Sequence, residues 1–200
     1  MAIASKRARG RPSEGAREAL VEAARELFME RDYGDVSTGE IIERSGVSRG
    51  ALYHHFASKQ DLFKVVFETG ERRVLGLVIE RAMAAASPFD ALLESARAYL
   101  QLSETDEELR RIGLLQSRVV LGWEGWRATA TELGIGVALA AVSAAIEAGE
   151  LAPHDPEMTA IILLGSMIEA ATLIAVAADR RAARERSEAV VVALLEGLRR

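Results

Sequence analysis

Cysteine is absent from this 200-residue chain. That absence excludes disulfides, thiolate metal sites and cysteine nucleophiles together. Histidine is scarce, with His54, His55 and His154 the only three. The first two are neighbours, so they cannot share a helix face or chelate one ion, and no metal is expected. There is no G-x-S-x-G stretch, no Walker phosphate loop and no His–carboxylate metal spacing, so neither an enzyme nor a cofactor is expected. No segment alternates like a strand, and there is no internal repeat or low-complexity block. The first residues are basic and polar with no apolar stretch behind them, which does not read as a secretory signal. A cytoplasmic location is the expectation.

What is present is a core and an uneven charge. Half of the residues are hydrophobic and 28% are charged, enough to bury a sizeable core. The net charge is −5, which argues against the whole surface binding nucleic acid. Residues 1–64 nevertheless hold 11 Lys and Arg against 10 Asp and Glu, whereas residues 65–200 hold 14 against 20. Residues 1–12 form a basic arm with Arg7, Arg9 and Arg11 and no acidic residue. Such arms suit a narrow, negative minor groove. Residues 158–178 are almost wholly apolar and about long enough to span a bilayer. Glu169 lies in their middle, where hydrocarbon would penalise it, so a helix–helix interface is the better reading and no membrane is expected.

Start and stop signals divide the chain into helices. Ser13 is a good N-cap for a helix through Arg31, with Leu20, Ala24, Leu27 and Phe28 as its apolar stripe and Gly34 as its C-terminal stop. Ser37-Thr38-Gly39-Glu40 is a capping box for a short second helix. Gly46 permits the positive φ of a tight turn, and Ser48 caps a third helix in which Leu52 and Phe56 face inward. Ser58-x-x-Asp61 opens a fourth helix that meets no proline until Pro88, and no Gly/Ser/Pro linker interrupts it. Beyond it, Ser87-Pro88, a Thr105-x-x-Glu108 box, the run Trp123–Ala148, Asp155-Pro156 and a last helix from about Ala183 to Leu198 all read as helical. The second and third helices, with their glycine turn, have the layout of a helix-turn-helix, whose second helix enters the DNA major groove.

Thr38, Ile41, Gly46-Val47-Ser48-Arg49-Gly50, Leu52-Tyr53-His54-His55-Phe56 and Ser58-Lys59-Gln60-Asp61-Leu62-Phe63 together resemble the signature of TetR/AcrR-type bacterial transcriptional regulators. The match runs ungapped from about Ala24 to Phe63. The resemblance implies an all-α protein of about nine helices, with a three-helix DNA-binding head on a helical ligand-binding and dimerisation domain. The corresponding boundaries are an arm over 1–12, a head over 13–73 with its helix-turn-helix at 37–56, and a body over 74–200. It implies a homodimer on a pseudo-palindromic operator, most simply a repressor released by a small-molecule effector. Carried over by position, Thr38 and Lys59 would hold phosphates, Tyr53 and His55 would lie against the backbone, and Arg49, Gly50 and His54 would approach bases beside the cap Ser48. Arg49 at the start of the third helix can fork onto guanine. Two positions depart from the family's pattern. Gly39 stands where many relatives carry a long side chain able to touch a base, and Ile42 where alanine is usual.

The body offers fewer signals. Arg118 and Glu169 are conspicuous charges in apolar helices. They read either as ligand handles, with Gln116, Trp123 and Trp126 lining a cavity, or as a structural ion pair, or as charges that reach solvent. The resemblance makes the last two long helices the dimer interface, with Ile161, Gly165, Ile168, Thr172, Val191, Leu194, Leu195 and Leu198 as candidate contacts. An alternative function is a small-molecule-binding helical protein whose DNA-binding head is weak or vestigial, in keeping with Gly39 and the acidic body.

Overall fold

The computed structural model describes residues 14–200. The arm arginines and the Ser13 cap lie outside the described residues. Eight α-helices follow one another: α1 Glu14–Glu30, α2 Thr38–Ser45, α3 Arg49–His55, α4 Lys59–Met83, α5 Pro88–Thr105, α6 Ser117–Glu147, α7 Pro156–Val176 and α8 Arg180–Gly197. A 3-10 turn, Tyr33–Asp35, precedes α2, and a π-helical stretch, Leu109–Gln116, leads into α6. No strand forms among the described residues, which carry only an isolated bridge between Leu151 and Arg199. The chain divides into two compact units, meeting between Val66 and Phe67 within α4.

In the first unit α1 packs on α2 and α3. Leu20, Ala24, Leu27 and Phe28 of α1 are buried, as are Ile41, Leu52, Phe56, Leu62 and Phe63. The Phe28 and Phe63 rings meet edge to face at 5.2 Å, and Tyr33 meets Phe63 at 5.4 Å. Local chemistry sets the boundaries. Ser37 Oγ accepts from the Glu40 amide while the Glu40 carboxylate accepts from the Ser37 amide, closing the capping box. Gly46 takes φ +67°, a left-handed conformation that costs a side-chain-bearing residue. Ser48 Oγ then caps α3 by accepting from Ala51. Gly34 differs from the expectation. Its φ is not positive, and it sits inside the 3-10 turn, so α1 ends without a glycine cap.

In the second unit α5, α6, α7 and α8 pack on one another around buried Phe89, Leu92, Leu100, Val142, Ala160, Ile174 and Leu195. Ser87 caps α5 with Pro88 in its first turn, Asp155 caps α7 through Met158, and Asp179 caps α8 through Ala182. The expected Thr105–Glu108 box does not form. Thr105 still belongs to α5 and donates back to Gln101, while Asp106 accepts from the Leu109 amide instead. Gly122 breaks α6 with φ 70° and ψ 169°, so the helix read from Trp123 onward is its second piece. Two helical runs, Leu109–Glu147 and Pro156–Val176, are long and apolar enough by composition to cross a membrane. The second packs against three neighbouring helices through one face and buries Ala160, Ala171, Ile174 and Ala175.

Candidate functional site

The first unit presents α3 with its base-reading candidates outward. Ser48, Arg49, Gly50 and His54 are exposed, and Tyr53 is 51% exposed. The inward positions are filled by Leu52 and Phe56, which leaves Tyr53 no place in the core. Other cations of this unit are engaged. Arg44 pairs with Glu26 and Glu30, Arg31 with Glu40, and Arg25 with Glu22. Arg49 has no ion pair among the described residues. An unpaired guanidinium at the start of a short, capped helix is available to an external acceptor.

Three further candidates are only partly exposed. The Lys59 ammonium turns inward, donating to the carbonyls of Tyr33 and Val36 at 2.7 Å each, and lies 3.9 Å from the Tyr33 ring centroid. Burial pushes its pKa down, against the pull of Asp35 and Glu40. These bonds fasten the segment before α2 to the start of α4. His55 is half-buried, with its Nε2 enclosed and without a hydrogen-bond partner. Thr38 is half-buried at the first position of α2. Gly39 is exposed, and a Cβ there would meet only Ser37 Oγ at 3.6 Å, so lack of space does not account for glycine.

The second unit encloses a cavity of about 160 Å³ between α4, the π-helical stretch and α5–α8. Its walls follow helical spacing. Glu71, Val74, Leu75 and Val78 line it from α4, and Leu92, Ser95, Ala96 and Tyr99 from α5. Leu133, Val137 and Ala141 of α6, Leu164 and Met167 of α7, and Val191 and Leu195 of α8 complete an apolar lining.

Of the expected ligand contacts, Trp126 alone lines this cavity. Gln116 is buried elsewhere in the unit. Trp123 is 61% exposed and stacks on Trp126 from outside at 5.3 Å. Arg118 lays its guanidinium 4.4 Å from the Trp126 ring centroid, with its Nε buried and unpartnered. Glu169 is exposed, away from the cavity, and no ion pair joins it to Arg118 among the described residues. It falls on an exposed stripe of α7 with Met158, Ile161, Ile162, Gly165, Leu173 and Val176, spaced at three and four residues. Among the expected dimer contacts, Ile161, Gly165 and Leu194 are exposed, and Thr172 is half-buried with its hydroxyl on the Ile168 carbonyl. Ile168, Val191 and Leu195 instead line the cavity, and Leu198 packs on the core. Helical phase turns Val191, Leu195 and Leu198 inward, because Val190 and Leu194 hold the outer positions of that stretch.

Sequence reasoning missed Glu71 and Tyr99. Burial raises the Glu71 pKa to about 7, with Arg73 pulling the other way and no hydrogen bond contributing. Tyr99 is raised by burial and by the Glu71 charge, while Arg118 lowers it. Their signal was spacing, since Glu71 occupies an apolar-stripe position three, four and seven residues before Val74, Leu75 and Val78.

Known proteins match both units. Residues 20–66 match the family described as bacterial regulatory proteins, tetR family, and residues 89–198, over half of the chain, match the tetracyclin repressor-like C-terminal domain. The chain belongs to the TetR family of bacterial regulatory proteins. A TetR-family transcriptional regulator from Pectobacterium atrosepticum superposes with a TM-score of 0.83 at 30% identity, covering 93% of this chain and 95% of its own. The HTH-type transcriptional regulator AcrR of Shigella flexneri is 34% identical over 95 residues, 47% of this chain and 44% of that protein. The transposon Tn10 TetC protein of Escherichia coli is 27% identical over 148 residues, 74% of each chain. The chain thus aligns with less than half the length of AcrR.

Proposed function

We propose that this TetR-family regulator is a cytoplasmic, homodimeric repressor that leaves a pseudo-palindromic operator when a small molecule fills the cavity of its second unit. The carrying observation is Arg49, unpaired and exposed at the head of a capped helix whose apolar side is fully spent on the core. Arg49, Gly50 and His54 read bases in this proposal, Ser48, Tyr53 and Thr38 position the helix, and the arginines of the arm add minor-groove contact. The functional domains run over 13–73 and 74–200, with α4 belonging to both. The exposed apolar stripe of α7, with Val190 and Leu194 of α8, supports pairing with a second copy rather than with lipid. Two heads must stand ~34–36 Å apart to meet successive major grooves. A ligand pressing on Glu71, Val74 and Val78 acts on the helix that carries Lys59 in its first turn, which makes that spacing the quantity a ligand changes.

The test is selection of genomic fragments by the full chain, followed by footprinting and titration against salt. Arg49→Ala should weaken binding by about 1–3 kcal/mol and relax one base position in each half-site. Wild-type affinity and selectivity in that variant would overturn the assignment of α3. Absence of any salt-sensitive, sequence-selective binding by the wild type would return the alternative of a ligand-binding protein with a vestigial head.

A further inference from the structure

We propose that the cavity takes a small, mostly apolar molecule carrying one protonated amine, and that the Glu71 carboxylate receives that amine. The inference rests on the reading of this cavity as the effector site. The lining is apolar except for Glu71, Ser95, Tyr99 and the Trp126 indole, and it contains no lysine, arginine or histidine. Glu71 has no hydrogen-bond partner among the described residues. The cation that acts on it, Arg73, is held by Asp106 at 2.7 Å. Arg118 is turned onto the Trp126 ring and stands outside the lining.

The carboxylate also has space made for it. A Cβ on Gly113 would come within 2.8 Å of Glu71 Oε1, so this glycine leaves the carboxyl room at the cavity wall. A half-buried carboxylate at an apolar wall, without a hydrogen-bond partner, is penalised, and a cation with an N–H donor relieves both the lost solvation and the empty acceptor. An anionic head group would face Glu71 with no cation in the lining itself, since Arg118, whose charge is felt at Tyr99, stands behind the Trp126 ring. A neutral hydroxyl would fill the acceptor and leave the charge unanswered. The apolar walls then bury the remainder of the molecule.

The experiment titrates the full-length protein at pH 8 with 2-phenylethylamine, 2-phenylethanol and 3-phenylpropionate, followed by calorimetry and by tryptophan fluorescence. The amine is expected to bind roughly tenfold or more tighter than the alcohol, and the carboxylate weakest. Glu71→Gln should remove the preference for the amine, bringing its affinity down to that of the alcohol, in a variant that still melts cooperatively. Gly113→Ala keeps the carboxylate but crowds it, and should weaken the amine more than the alcohol. Equal affinities, a preference for the carboxylate, no binding by any probe, or an amine affinity unchanged in Glu71→Gln would overturn the proposal. Operator release is read separately. Amine binding that Glu71→Gln abolishes but that leaves DNA affinity untouched keeps the amine assignment and overturns the effector reading. Release by the alcohol as effective as by the amine keeps the effector reading and overturns the amine assignment.

Discussion

Arg49 of the first unit and Glu71 of the second each lack an ion pair and a hydrogen-bond partner among the described residues, and the two pay different penalties for it. Arg49 stands in water at the start of α3, where solvent already satisfies its charge. Glu71 stands half-buried at the wall of an apolar cavity, where no hydrogen bond replaces the lost water and its pKa rises to about 7 against the pull of Arg73. An unpaired charge on a surface therefore costs the fold little and remains available to a polyanion. The same vacancy inside strains the protonation equilibrium and is relieved by a specific visitor. The first unit has most of its other charges paired and its caps filled, whereas the second leaves a carboxylate unanswered.

Substitution at position 71 should have the largest effect. The carboxyl moves from its ordinary value of 4.5 to about 7 on folding. Between those values the folded chain holds a proton that the unfolded chain has released. Stability therefore falls as pH rises through that window and levels out above it. Glu71→Gln should remove this slope and stabilise the protein at pH 8 by up to about 3 kcal/mol. Denaturant titrations at pH 5 and pH 8 measure it, and a mutant no more stable than wild type at pH 8 would break the contrast between the two charges. Glu40 supplies the opposite sign. The Ser37 amide and Arg31 hold it down to about 2, so its contribution is present above the ordinary value and disappears as pH falls toward that figure.

Lys59→Met should follow, with a loss of about 2 kcal/mol as the carbonyls of Tyr33 and Val36 lose a charged donor. The salt dependence of DNA binding should keep its slope. A slope shallower by about one would mean that the ammonium leaves its internal bonds for phosphate. Arg49→Lys retains the charge and loses the fork, so it should keep the salt slope while giving up about 1–2 kcal/mol of discrimination at guanine. The smallest effect belongs to Gly39→Ala, expected to stabilise α2 by about 0.5–1 kcal/mol without changing the footprint. Thermal melts beside the footprint would show whether this glycine has a use beyond being silent.

The two units were unequally readable from sequence for a physical reason. The head is written in short-range chemistry: Ser37 with Glu40, Gly46, and Ser48 with Ala51 all act within four residues. Gly34 misled because a glycine near a helix end is compatible with more than one turn. In the body, composition identified long apolar helices and left their rotation open. Val191 and Leu194 share a run in sequence, yet one lines a cavity and the other faces outward. Arg118 and Glu169 drew attention because they were charges among apolar residues. Glu71 broke the same rule less visibly, since α4 carries charges all along its length. Only the meeting of five helices distinguishes a carboxylate aimed inward from one aimed at water.

The break at Gly122 bears on how the cavity is walled. Trp126 lines the cavity from the piece of α6 beyond the break, while Arg118 reaches the same ring from the piece before it. The non-helical backbone at Gly122 lets the two pieces of α6 take different directions, so the Trp126 wall is set separately from the piece that carries Arg118. The carboxylate sits on the unbroken α4, where no such break exists. The wall that carries the charge is therefore continuous helix, while the aromatic wall facing it belongs to a helix built in two pieces.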